Sequence, residues 1–258
     1  MPPIASADAR RLARLIGTAR GPAGDQARIR ADGGAGCAVT PWLMTPPLLL
    51  RRLGRRPYPA TLELQRALAA ARADGGAPDT LLLVEHDPVI TLGRRRTCEE
   101  NVLTPGDTPV IRVERGGDVT WHGPGQLVGY PIIALGEGER DVHAVLRRLE
   151  EALIRTLAAL GLAAERREGY TGVWCQGLKL VSVGVAVHRW VTFHGFALNV
   201  NPDLAEFARI NPCGLEAGTM GSVEGLGGAI LAWRELEDLV AAQIAAAFGR
   251  HLIEASGV

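Results

Sequence analysis

An α+β fold, a mixed sheet with flanking helices, follows from three features of this 258-residue sequence. Leu178 to Val187 is rich in β-branched residues and about as long as a strand. Asp141 to Leu160 instead repeats every 3.6 residues, with Val142, Val145, Leu149, Leu153, Leu157 and Leu160 on one stripe and Gly161 as its stop. Strand-like segments also come in hairpin-like pairs between helices, which argues against a doubly wound parallel sheet.

In chain order, residues 1–40 stand apart. They are rich in Ala, Arg and Gly, end in Gly33-Gly34-Ala35-Gly36, and read as a mobile N-terminal extension or as sequence upstream of a true start such as Met44. Arg10, Arg11, Arg14 and Arg20 suit a transit peptide, whereas Asp8, Asp25 and Asp32 oppose one. Residues 41–258 are read as a single domain, globular from Pro57. Thr61 to Ala73 carries Leu62, Leu64, Leu68 and Ala69 and predicts a helix closed by Asp74-Gly75-Gly76. Strands follow at Thr80 to Glu85, Val89 to Leu92 and Val110 to Val113. After the long helix come a hairpin (Val173-Trp174 with Leu178 to Val187), a strand over Val191 to Val200, a short helix from Ala205 to Ile210 and a closing helix from Leu236 to Phe248.

Composition excludes several classes. Formal net charge is zero, so no global field favours nucleic acid or a membrane surface. Cys37, Cys98, Cys175 and Cys213 form neither a C-x-x-C pair nor a ligand-spaced cluster, which opposes a metal site or a disulfide framework and suits a reducing, cytoplasmic compartment. Leu48-Leu49-Leu50 is far too short for a membrane span.

Of 28 basic residues, 27 are arginine and one is lysine, Lys179. It lies in the apolar run, where strict alternation would place it on one face with Val181, Val183, Val185 and Val187. Desolvation disfavours an ammonium, and unlike arginine a lysine can lose its proton and serve as a base. The segment Arg115-Gly116-Gly117-Asp118-Val119-Thr120-Trp121-His122-Gly123-Pro124-Gly125-Gln126 describes a backbone that turns sharply or approaches something closely at both ends. It matches neither phosphate-loop pattern. Cys213 sits between Pro212 and Gly214, a setting that presents a thiol on a tight turn. Cys175 lacks such a turn, and Cys37 and Cys98 read as bystanders.

Arg115 to Gln126, Lys179 at the head of its strand, His194-Gly195-Phe196-Ala197-Leu198-Asn199 and Pro212-Cys213-Gly214 together resemble the lipoyl(octanoyl) transferases, over roughly residues 57–250. The resemblance implies a fold similar to the biotin and lipoate protein ligase catalytic domain. It implies octanoyl transfer from acyl carrier protein to a lysine of lipoyl domains, in 2-oxoacid dehydrogenase complexes and the glycine cleavage H-protein, without a cofactor or metal. Carried over by motif position, Cys213 is the acyl-thioester nucleophile and Lys179 lowers its pKa. Arg115, Gly116, Gly117, Asp118, Val119, Thr120, Trp121, His122, Ser182, Val183, Gly184, Gly195, Phe196 and Ala197 line the substrate site.

The chemistry fits those residue types. Thiol-to-thioester exchange is nearly balanced, and a thiol only a few per cent ionised at neutral pH benefits from a nearby proton acceptor. His122 and His194 each follow an aromatic residue and precede glycine, which suits substrate contact; His86 reads equally as a turn residue. Arg94-Arg95-Arg96 with Arg51, Arg52, Arg55 and Arg56 is a candidate basic rim for an acidic carrier protein. Two other readings are an ATP-dependent lipoate or biotin ligase of similar fold, which would need no cysteine, and a non-catalytic binder of acyl carriers.

Overall fold

The computed structural model describes residues 45–212 and 217–254; the predicted extension at 1–40 lies outside them. A seven-stranded mixed sheet forms the middle of the molecule, in the order β10-β1-β2-β6-β9-β8-β7. Its strands are β1 (Pro47–Arg56), β2 (Asp79–His86), β6 (Gln126–Ile132), β7 (Val173–Cys175), β8 (Leu178–His188), β9 (Val191–Asn199) and β10 (His251–Glu254). Strands β3 (Val89–Leu92), β4 (Val110–Arg112) and β5 (Val119–His122) make a separate small sheet.

Alternation along β2 shows how the layers arise. Leu81 and Leu83 point into a core shared with helices α2 (Val142–Ala159) and α3 (Trp233–Ala247), whereas Leu82 and Val84 point into a second core under α1 (Tyr58–Ala73). Helix α1 begins earlier than its apolar stripe because Pro57 and Pro59 suit a helix start, and Tyr58 is buried beneath it. Helix α2 is capped by Asp141, whose carboxylate accepts the N–H groups of His143 and Ala144.

Periodicity did not announce β1, β6 and β10. Strand β6 contains Gly129 and Pro131, both poor strand formers, yet it is buried throughout and lies between β2 and β9. A Cβ at Gly129 would strike the Phe196 ring. Strand β1 pairs in parallel with both β10 and β2, so the predicted globular boundary at Pro57 moves back to include it.

Strict alternation along β8 fails at its start. Val173 pairs with Val181 but Trp174 pairs with Lys179, so one step on β7 spans two on β8. Leu180 and Val181 both join the apolar core, and Lys179 does not share the simple face the sequence suggested. The β8–β9 turn places Arg189 and Trp190 at φ +49° and +62°, held by an Arg189–Asp74 ion pair at 2.7 Å and a Leu135 N–H to Trp190 carbonyl bond.

Candidate active site

Strands β8 and β9, the loop before β5 and the segment before β7 enclose a cavity of about 240 Å³. The loop is built around Arg115. Its guanidinium donates to the carbonyl and hydroxyl of Thr91 (2.8 and 3.0 Å) and to the carbonyl of Gly116 (3.2 Å), tying loop to β3. Gly116 N–H then donates to Val185 O at 3.0 Å, docking the loop on β8. Contact is close enough that a Cβ on Gly184 would stand 3.0 Å from Gly116 O. Buried Asp118 accepts from Val119 N–H (2.7 Å) and Asn101 Nδ2 (2.9 Å), with Arg95 at 3.9 Å on the cavity side.

Arg115 to Thr120, His122, Ser182 to Gly184, Gly195 to Ala197 and Lys179 all line the cavity. Trp121 does not: it packs on Phe207 (ring centroids 5.5 Å apart) in a third apolar cluster, as a residue flanked by inward-facing Thr120 and His122 must on a pleated strand. Cys213 lies outside the described residues. Its neighbour Pro212 lines the same cavity as Lys179.

Lys179 is 3% exposed. Its ammonium nitrogen lies 5.8 Å from the centre of the Trp174 ring, and its carbonyl accepts Gly221 N–H at 3.0 Å. The arginines of the anticipated rim separate. Arg94, Arg95 and Arg96 are exposed at the loop, whereas Arg52 and Arg55 sit on β1, four strands from β8, in ion pairs with Glu237, Asp238, Glu254 and Asp87.

Beside the cavity lies a polar aromatic cluster that sequence reasoning grasped only in part. His86 Nδ1–H donates to Arg56 O (2.9 Å), leaving Nε2 to accept the Tyr130 hydroxyl (2.8 Å). Tyr58 stacks on His122 at 5.9 Å. His122 donates through Nδ1 to Gln126 Oε1 (3.1 Å), Gln126 donates to Asn199 Oδ1 (2.9 Å), and Asn199 donates to Gly221 O (2.8 Å). The motif's last residue is therefore a relay between the loop and the segment beside Lys179. His194 adopts φ +56°, and its N–H donates to Gln65 Oε1 at 2.9 Å. Desolvation by burial holds all three imidazoles neutral, with pKa values pushed down to about 4 for His86, 3 for His122 and 4 for His194. The same burial pushes the Tyr58 phenol up to about 12 and raises Tyr130. Tyr58 and Tyr130 were not anticipated; neither belongs to a motif, and only tertiary contact brings them here.

Comparison with known proteins places this arrangement. Residues 57–245 match the model of the lipoyl protein ligase A/B catalytic domain. An octanoyltransferase of Geobacter metallireducens is 56% identical over 170 residues, covering 66% of this chain and 79% of that protein. One of Pelobacter propionicus is 48% identical over 194 residues, covering 75% and 92% respectively. In fold, the chain resembles lipoate-protein ligase A bound with ATP (TM-score 0.63, 16% identity, 83% of this chain and 90% of that one). It also resembles a bipartite lipoate protein ligase of Thermoplasma acidophilum (TM-score 0.62, 18% identity, 83% and 88%). With the match running through both cavity-lining strands and the glycine-rich loop, the chain belongs to the lipoyl protein ligase A/B catalytic domain family.

Proposed function

We propose that this protein is an octanoyltransferase of protein lipoylation. It takes the acyl group from acyl carrier protein onto Cys213 and passes it to a lysine of lipoyl domains, in 2-oxoacid dehydrogenase complexes and the glycine cleavage H-protein. The observation that carries this reading is the position of Lys179: the chain's single lysine is buried in the wall of the cavity that Pro212, the residue before Cys213, also lines.

In the first half-reaction the Cys213 thiol loses its proton to Lys179, the thiolate attacks the donor thioester, and the carrier's thiolate leaves with a proton. In the second, the acceptor amine attacks the acyl-cysteine, its excess proton passes to Lys179, and the Cys213 thiolate is expelled. Val128, Val183, Val185, Phe196 and Ala197 offer an apolar wall for the tail. At ~0.8 kcal/mol per buried methylene, the six of an octanoyl chain contribute about 5 kcal/mol. A reduced thiol is required throughout, which suits a cytoplasmic setting.

Intact-mass spectrometry after incubation with octanoyl carrier protein tests the reading. Wild type should gain one octanoyl mass that hydroxylamine removes, and Lys179→Arg, which keeps charge but not proton exchange, should lose transfer. Absence of the adduct, or full transfer by Lys179→Arg, refutes it. The ligase alternative rests on similarity of fold and on a family model that spans both the A and B types; octanoyl transfer that proceeds without ATP excludes it. Arg94, Arg95 and Arg96 form the remaining basic rim, with Arg95 at the cavity. KM for the carrier-bound donor should therefore rise with salt, while KM for a small acyl thioester should not; equal responses refute the docking role.

A further inference from the structure

One fully buried carboxylate shapes the surroundings of Lys179 without touching it. Glu150, in the middle of α2, accepts Gly172 N–H through Oε1 at 2.9 Å. Through Oε2 it accepts Arg147 Nη1 at 2.6 Å and Arg166 Nε at 3.2 Å. Arg166 also donates to Arg147 O (3.1 Å) and to Glu151 Oε2 (2.9 Å). Glu150 thereby fastens both ends of the 166–172 connection to α2.

That connection is the wall around Lys179. Gly169, Tyr170 and Thr171 line the cavity. Gly172 has φ +133°, and a Cβ there would lie 2.6 Å from Lys179 Cε and 2.5 Å from Val181 O; the lysine stem fills the space a side chain would take. Past Gly172, Trp174 presents its ring to the amine, and Arg167 spans Trp174 and Tyr170 from 5.0 Å. Glu165 and Trp174 exchange both backbone hydrogen bonds (2.8 and 2.9 Å), closing the connection into a loop.

We propose that Glu150 is a positioning residue: by clamping residues 166–172 to α2, it presses Gly172 and Trp174 against the Lys179 side chain and fixes where the amine sits in the cavity. A buried charge with three donors is costly unless every bond is kept, and it is used here to order a loop that has little apolar surface of its own. The inference rests on the proposed role of Lys179 in moving the proton. Displacement of a reacting group by about 1 Å costs on the order of a hundredfold in rate, so a loosened clamp should appear in kcat.

The test measures kcat and KM for octanoyl transfer in four chains, well below each one's melting temperature. Glu150→Ala should lower kcat about tenfold or more with KM for the donor within about twofold. Glu150→Gln, which keeps an oxygen for Gly172 N–H, should recover most of that loss. Leu153→Ala, a cavity in the apolar face of the same helix, should melt earlier yet keep kcat within about twofold. Should Glu150→Ala fail to fold, Arg166→Met loosens the clamp from outside the helix and should also lower kcat at constant KM. Wild-type kcat in a folded Glu150→Ala or Arg166→Met chain overturns the proposal, as does an equal loss in Leu153→Ala. Full transfer by Lys179→Arg would instead sink the underlying reading, so the two failures are told apart.

Discussion

Acidification should unfold this protein through its buried imidazoles. His86 and His122 hold pKa values of about 4 and 3, against an ordinary 6.5. Above pH 6.5 each is neutral whether the chain is folded or not, and contributes no slope. Between that value and the folded-state pKa only the unfolded chain binds the proton, so stability falls as pH falls. From pH 7 to 5 each histidine removes about 2 kcal/mol, or about 4 for the pair, a large part of the 5–15 kcal/mol that holds a typical domain. His194, held at about 4 even with Glu114 3.6 Å away, should add about as much as His86. Urea titrations of wild type and His122→Phe at pH 7, 6 and 5 would measure this. The variant keeps a ring against Tyr58 and loses the Gln126 bond, so it should start less stable and lose about 2 kcal/mol less over the range. Parallel stability-versus-pH curves for the two chains would refute the assignment.

Two further perturbations are read through stability. The side chain of Asp79, 2% exposed, joins Arg72 (2.6 Å), Arg250 (2.9 Å) and Ala134 N–H (3.0 Å). Asp79→Ala leaves buried Arg250 with only the longer Glu139 pair at 3.4 Å and strands Ala134 N–H, and should cost about 2–3 kcal/mol in urea titration; a loss under about 1 kcal/mol would show the pairs to be solvent-screened. Gly195→Ala would drive a Cβ into Gly129 O and to 2.6 Å from Pro131 Cδ, so the β6–β9 ladder must part. An unchanged melting temperature would show the strands can yield.

Much of the site was legible in the sequence because its residues sit in contiguous motifs. A solitary lysine in an apolar run, Arg115 to Thr120 with His122 of the glycine-rich segment, and His-Gly-Phe-Ala on a second strand all fall on one cavity. Trp121 shows the limit of reading a motif as one surface, since alternation along β5 sends it to the opposite side. Tyr58, Tyr130 and Glu150 come from three separate elements with no local signal. Helix α2 and strands β3 and β9 were readable within a residue or so, because their burial follows a simple period. Strand β6 was not, because Gly129 and Pro131 oppose local strand preference and its two neighbours decide its state. At Lys179 the period itself was interrupted, and no count along the chain reveals a bulge that depends on β7.

The place of β1 between β10 and β2 bears on how the molecule is made. The first strand of the described chain can complete its pairing only when the last described strand has left the ribosome, so the outer margin of the main sheet closes only after β10 has been made. Amide exchange should show that margin fraying before the β6–β9 centre does.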